Sequence, residues 1–243
     1  MLDKTQGLFL NYIRYSDTSV IARIYTRKYG QQAYIVNGIR AQKAASKIHL
    51  FQPLFLLDME IDYKPGRSLQ RLKQVRLYAP FEQIPFQIKK STQAMFLAEM
   101  LLVCLREEEP NDELFDFLFH AFSLLDLLDE GVSNFSVVFL LKLTLYLGVY
   151  PQVPDFPIPR FFDLRASVFT SVEPLHGQFL DPELTRKLAA LFRADLSDMA
   201  GLPLNNYHRQ SLLLCLIDYY KIHLDLSGDL KSLNVLKEVM GES

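Results

Sequence analysis

The sequence predicts an α+β protein in which a basic, strand-rich first third precedes an acidic, helix-rich remainder. Three observations predict it. Short runs of β-branched and aromatic residues recur up to about residue 80, the apolar period changes to about 3.6 after Pro85, and the charge changes sign at the same place. Residues 1–80 hold thirteen Lys and Arg against five Asp and Glu, a net of +8, and residues 81–243 carry −10, so the whole-chain charge of −2 conceals two regions of opposite sign. A polyanion is the partner that such a basic region favours.

Strands are expected at 8–13, 19–26, 32–36, 53–63 and 68–78, separated by turn signals at Tyr15-Ser-Asp, Lys28-Tyr-Gly30 and Lys64-Pro-Gly66. Between the third and fourth, residues 38–50 contain Ala41, Ala44 and Ala45 and little β-branching, which predicts a short helix or helical turn. Five strands with a helix after the third fit an OB-type β-barrel, a small Greek-key barrel. Residues 1–80 are thus expected to be a basic nucleic-acid-binding OB domain, and residues 81–243 an acidic, all-helical domain. Helices are expected at 86–109, 112–129, 134–150, 181–194, 207–226 and 232–240, with end signals at Asn111 and Asp112 after Pro110, at Ser133 and Asn134 after Gly131, and at Asp181-Pro182. The second helix is apolar on almost every side, which predicts the buried centre of a bundle with Phe115, Phe117, Phe119 and Phe122 as core. Residues 150–177 hold five prolines and read as an irregular crossover with a hairpin at 162–172.

Several function classes are disfavoured. The opening Met1-Leu-Asp-Lys has no apolar h-region, and the most apolar stretch, 135–150, is shorter than the roughly 20 residues a membrane span needs and contains Lys142. A soluble, cytoplasmic protein with no membrane partner is expected. Cys104 and Cys215 lie far apart in Leu-rich runs, which predicts two buried thiols rather than a disulfide or a zinc cluster. No two of the ten glycines lie closer than eight positions, which excludes Gly-rich phosphate loops and a G-x-S-x-G elbow. The five histidines make no short metal-ligand spacing, and Glu107, Glu108 and Glu109 read as a solvated charge run. No catalytic set assembles, so a protein without enzymatic turnover, metal or cofactor is expected.

Binding chemistry remains. In an OB barrel the loops after the first and fourth strands flank the oligonucleotide groove. Arg14 sits at the first, and Lys64 and Arg67 at the second. Arg40, Lys43 and Lys47 are spaced by three and four, so on a helical turn they share a face and form a phosphate-contacting cluster. On the second strand Arg23 and Tyr25 share the parity opposite to Val20, Ala22 and Ile24, so Tyr25 is expected to offer a base-stacking platform beside a cation. Arg27 and Lys28, in the turn after that strand, complete the expected DNA-binding set. Loop cations read phosphate and carry no sequence information.

The N-terminal motifs Tyr15-Ser-Asp-Thr-Ser19, Tyr25-Thr-Arg-Lys-Tyr-Gly30, Val36-Asn-Gly-Ile-Arg40 and Leu50-Phe-Gln-Pro-Leu54, followed by Leu147-Gly-Val-Tyr-Pro151, resemble in order those of the RecO recombination-mediator family. The resemblance implies an OB domain followed by a helical domain, and binding to single- and double-stranded DNA without catalytic turnover. It further implies annealing of complementary strands, recombinase loading onto strands coated by single-strand-binding protein, partnership with RecR and with that coating protein, and association with the nucleoid during repair. Many members of that family carry a four-cysteine zinc site after the Leu-Gly-x-x-Pro element, whereas residues 151–177 here contain no cysteine. The proline-rich crossover and its hairpin are expected to take over that structural role. Two other readings are a protein-only adaptor that uses the barrel and helices as docking surfaces, and an RNA-binding OB protein.

Overall fold

The expected strands close on one another. In the computed structural model, which describes residues 2–39, 45–105, 109–153, 157–197 and 199–241, β1 (Leu2–Arg14), β2 (Val20–Thr26), β3 (Gly30–Val36), β4 (Leu56–Asp62) and β5 (Leu69–Ala79) form a closed barrel in the order β1-β2-β3-β5-β4. A 3-10 turn, Ala45–Leu50, lies between β3 and β4, which completes the OB-type arrangement. β1 is long because it serves two neighbours. Its second half pairs with β2, Arg14 opposite Val20, and its first half with β4, Leu2 opposite Asp62. It begins six residues before the expected start because Asp3, Lys4 and Gln6 mask a strand whose partners lie far along the chain. The one parallel pairing, β3 with β5, closes the barrel, with Ala33 opposite Leu69 and Ile35 opposite Arg71.

Leu8, Val20, Ala22, Ile24, Tyr34, Met59, Ile61 and Leu72 are buried in the barrel. Gly7 sits where no side chain fits: a Cβ there would lie 2.6 Å from Ile24 Cγ2 and 2.8 Å from Met59 Sδ. Ile24 is β-branched and cannot turn away. Gly7→Ala is therefore expected to destabilise the protein by about 1–3 kcal/mol, read as a lower urea midpoint with an unchanged slope.

The chain divides into two compact units, Met1–Gln87 with Ala94–Asp126, and Ile88–Gln93 with Leu127–Ser243. The helix α1 (Ile88–Cys104) contributes to both, and α2 (Asp112–Leu127) belongs almost wholly to the first. This corrects the expected place of α2 at the centre of a helical bundle. Its stripe of Leu114, Phe115, Leu118, Ala121, Phe122 and Leu125 is buried, but Phe115 stacks on Tyr25 of β2 with ring centres 6.2 Å apart, and Phe119 meets Tyr78 of β5 at 5.4 Å. At the far end of α2, the buried Asp126 carboxylate accepts hydrogen bonds from the backbone N–H groups of Glu82, Gln83 and Ile84 at 2.8, 2.8 and 2.7 Å.

The second unit is built around α3 (Phe135–Tyr146), whose residues 135–141 are all buried. The Gln93 side chain donates to Val132 O at 2.5 Å and accepts from Ser136 N and Oγ at 3.0 and 2.8 Å, fixing the entry to α3. Against α3 runs α5 (Asn206–His223), whose Tyr220 hydroxyl donates to Leu140 O at 2.8 Å. The helix α4 (Pro182–Leu191) begins at the expected Asp181 cap, and α6 (Ser232–Gly241) follows α5. The hairpin expected at 162–172 is present as β6 (Phe161–Asp163) and β7 (Val168–Thr170), and β8 (Phe179–Leu180) adds a third strand in the order β7-β6-β8. Phe162 anchors this small sheet between Phe169 and Tyr219, with ring centres at 4.9 and 6.2 Å. Asp163 ties its turns together, accepting from the N–H groups of Arg165 and Ala166 and facing His176 Nε2 at 3.2 Å. Among the described residues no helix is long and apolar enough to cross a membrane.

Candidate nucleic-acid interface

Alternation along a strand sends Val20, Ala22 and Ile24 into the barrel and Ile21, Arg23 and Tyr25 out of it. Register extends these outward positions into rows across the sheet. One row runs Ile13, Ile21, Ile35, Arg71 over β1, β2, β3 and β5, and the next runs Asn11, Arg23, Ala33, Leu69. At the third row the open face ends. Tyr25 is 2% exposed beneath Phe115, and its neighbour Gln31 donates from Nε2 to Leu102 O at 3.4 Å. The expectation that Tyr25 offers a stacking platform is thus corrected: its outward parity is as expected, but α2, some ninety residues later in the chain, covers the ring.

The two loops beside this face are held in shape by hydrogen bonds. In the β1–β2 loop, Tyr15 N and Ser16 N both donate to Ser19 O, while Ile39 N donates to Thr18 O at 3.0 Å. In the β4–β5 loop, Lys64-Pro65-Gly66-Arg67 forms a turn in which Arg67 N donates to Lys64 O at 3.3 Å and Gly66 takes a φ of +77°, the value a type II turn needs at that position. Gln70, 3% exposed, fastens the turn from below: its Nε2 donates to Lys64 O and Arg67 O at 3.0 and 2.8 Å, and its Oε1 accepts from Lys64 N at 2.9 Å. Ile35, Asp62, Lys64, Arg67, Gln70 and Arg71 border a hollow of about 310 Å³ beside the loop. Removing the latch in Gln70→Leu is expected to weaken oligonucleotide binding several-fold while leaving the salt dependence of binding unchanged, because the cations remain but lose their fixed positions. Anisotropy titrations at two salt concentrations check this.

Arg14, Arg23, Lys64 and Arg67 are exposed on this face or its two loops, and Arg71 joins them. Among the described residues none of the four arginines has a carboxylate partner within ion-pair distance. Arg71 and the latch Gln70 escaped the sequence reading because both owe their places to the β3–β5 register, which no local pattern announces.

Arg27 and Lys28 go elsewhere. The Arg27 guanidinium lies 4.6 Å over the Phe115 ring and binds Asp112 at 3.2 Å and also Asp116, and its hydrogen bond holds the Asp116 carboxyl below the usual carboxylate range. Lys28 Nζ binds Asp3 at 2.7 Å, and the Tyr29 hydroxyl donates to the same carboxylate. Hydrogen bonds from Lys28 and Tyr29 lower the Asp3 pKa, while burial and then Asp3 push Tyr29 up to about 12. Arg27 and Lys28 border a second cleft, of about 510 Å³, with Lys4, Asp58, Glu60 and Arg76. There, acid faces base across the strands: Lys4 opposite Glu60, and Asp58 opposite Arg76, which it binds at 2.9 Å. Arg40 and Lys43 lie outside the described residues, as does the side chain of Lys47.

A closed OB-type barrel with a cationic open face between its β1–β2 and β4–β5 loops, continued by a helical unit, is the class of protein these features define. The chain belongs to the recombination protein O family: the model of that family's N terminal matches residues 1–81, and the model of its C terminal matches residues 85–234. The protein named DNA repair protein RecO in Phocaeicola vulgatus is 42% identical over 239 residues, covering 98% of this chain and 99% of that protein. Proteins of the same name in Bacteroides fragilis and Flavobacterium johnsoniae are 40% and 36% identical over 240 and 238 residues, each alignment covering at least 97% of this chain and 98% of the relative. The zinc site that the family resemblance brings to mind does not fit the residues present here. Residues 151–177 contain no cysteine, and among the described residues no group of three or more His, Cys, Asp or Glu is placed to hold a metal ion.

Proposed function

We propose that this chain is a DNA-repair protein that acts as a recombination mediator. It binds single- and double-stranded DNA without sequence specificity, anneals complementary strands, and assists recombinase loading onto DNA coated by single-strand-binding protein. It does so by binding alone, without turnover, in the cytoplasm at the nucleoid, with RecR and single-strand-binding protein as partners. The observation that carries the reading is the gathering of Arg14, Arg23, Lys64, Arg67 and Arg71 on one barrel face and its flanking loops, in a chain similar over almost its whole length to proteins named for DNA repair. The four arginines, with no carboxylate within ion-pair distance among the described residues, leave their charge for phosphate, while Asp62 stands beside Lys64; phosphate contacts confer affinity without reading bases.

Salt dependence tests this. Five phosphate contacts at a single-strand slope of about −0.7 each predict a roughly hundredfold loss of affinity between about 50 and about 200 mM salt. Fluorescence anisotropy of a labelled oligonucleotide measures it. Binding that is feeble at both salts would sink the reading in favour of a protein-only adaptor, and a matched RNA strand that outcompetes DNA would redirect it to RNA. Addition of RecR, or of a strand precoated with single-strand-binding protein, tests the partners by a change in the anisotropy plateau.

A further inference from the structure

An exposed antiparallel face ordinarily presents polar side chains to water, with the apolar set turned inward. The open face of this barrel does not. Its first row places three isoleucines side by side, Ile13 opposite Ile21 and Ile21 opposite Ile35, before ending on Arg71. Ile13 is 58% exposed, and Ile21 and Ile35 are half-buried, on the parity opposite to the fully packed Val20, Ala22, Tyr34 and Val36. Beyond Ile13 come Arg14 and then Tyr15, 59% exposed in the β1–β2 loop. At the other end, Ile35 and Arg71 border the hollow next to Lys64 and Arg67. The face is therefore an apolar floor with cations at its β5 end, while at its β1 end Arg14 follows Ile13 on the opposite parity, exposed at the terminus of the strand. Strands about 4.8 Å apart make the three-isoleucine row about 10 Å long.

This arrangement distinguishes the two forms of DNA. A duplex turns its phosphates outward and keeps the faces of its bases stacked inside, so it gains from the cations and nothing from the isoleucines. A single strand can lay unstacked bases on an apolar floor while its phosphates reach Arg14 at one end and Arg71, Lys64 and Arg67 at the other. Contact with base faces is sequence-tolerant, since every base has one. We infer that the isoleucine row selects single-stranded over duplex nucleic acid, with bases turned toward Ile13, Ile21 and Ile35 and backbone phosphates toward the flanking cations. This rests on the proposed DNA-binding role of the same face and adds to it which form of DNA the face prefers and which side chains make the choice.

The test compares a labelled single strand with a blunt duplex of equal length, at one salt concentration, for the wild type and for Ile21→Thr/Ile35→Thr. Threonine keeps the β-branch and so the strand preference, but puts a hydroxyl on the floor. The wild type is expected to favour the single strand by about tenfold, and the variant to lose most of that factor while its duplex affinity stays within about twofold. Ile13→Thr, at a position more than half exposed, is a second variant less exposed to folding defects, expected to lose several-fold in the single-strand arm alone. Equal wild-type affinity for both forms, or an equal loss of both in the folded variants, overturns the inference and leaves the DNA-binding reading standing. Wild type that binds neither form overturns both.

Discussion

Asp126→Ala is expected to lower the stability of the protein by about 2–4 kcal/mol, because three backbone donors, that of Ile84 buried and those of Glu82 and Gln83 partly so, lose one shared charged acceptor. A hydrogen bond to a charged group contributes about 1.5–3 kcal/mol, and the Ile84 N–H has no water to turn to, with Asp126 5% exposed and Ile84 3%, while those of Glu82 and Gln83 lie nearer the surface. Asp126→Asn separates geometry from charge. Its carbonyl oxygen can keep the Gln83 and Ile84 bonds that Oδ1 accepts, but its amide then meets the Glu82 donor head-on, so an intermediate loss is expected. Urea unfolding followed by circular dichroism measures both. A loss below about 1 kcal/mol in Asp126→Ala would mean that the turn after β5 holds its shape without the carboxylate.

Arg23→Ala/Arg71→Ala is expected to reduce single-strand affinity about a hundredfold at low salt, as two charge-assisted contacts are removed, and to shallow the salt slope by about 1.4. The loss is uniform across sequences, because phosphate contacts carry no base information. Neither side chain is fixed by an internal carboxylate among the described residues, so the melting temperature stays where it was. Arg27→Ala/Lys28→Ala is the informative contrast. These cations are bound to Asp112, Asp116 and Asp3, so their removal leaves the salt slope unchanged and lowers stability modestly, each pair being partly exposed. A slope that falls equally in both double variants would move the DNA track toward the 510 Å³ cleft.

The strands and helices were legible in the sequence to the extent that their signals are local. Runs of β-branched and aromatic residues between turn signals marked all five barrel strands, the Asp181-Pro182 pair marked the start of α4, and the proline-rich crossover left room for the β6–β7 hairpin. Contacts between distant stretches were not legible. The first residues of β1 are polar and become a strand only by pairing with β4, more than fifty residues later. An apolar helix such as α2 looks the same whether it packs on helices or on a barrel, and what decides is the shape of the partners, Tyr25 and Tyr78. The candidate site divides in the same way. Loop cations such as Arg14, Lys64 and Arg67 could be placed from turn signals alone, and the parity of Arg23 from its own strand. Which of the expected cations keep their charge free depended on acids elsewhere in the chain, Asp112 and Asp116 for Arg27 and Asp3 for Lys28.

Residues 94–126, which complete the barrel's unit, are made after all five of its strands. On the ribosome, the five strands emerge before the parts that finish them. A nascent chain halted after β5 has every ladder bond of the barrel available, yet Tyr25 stands uncovered, Arg27 lacks its acids, and the turn at residues 82–84 waits for Asp126. At translation rates of about 5–20 residues per second, that interval lasts a few seconds. Throughout it, the outer face of β2 offers a naked aromatic ring to any chaperone nearby, and synthesis through residue 126 is the event that withdraws the offer.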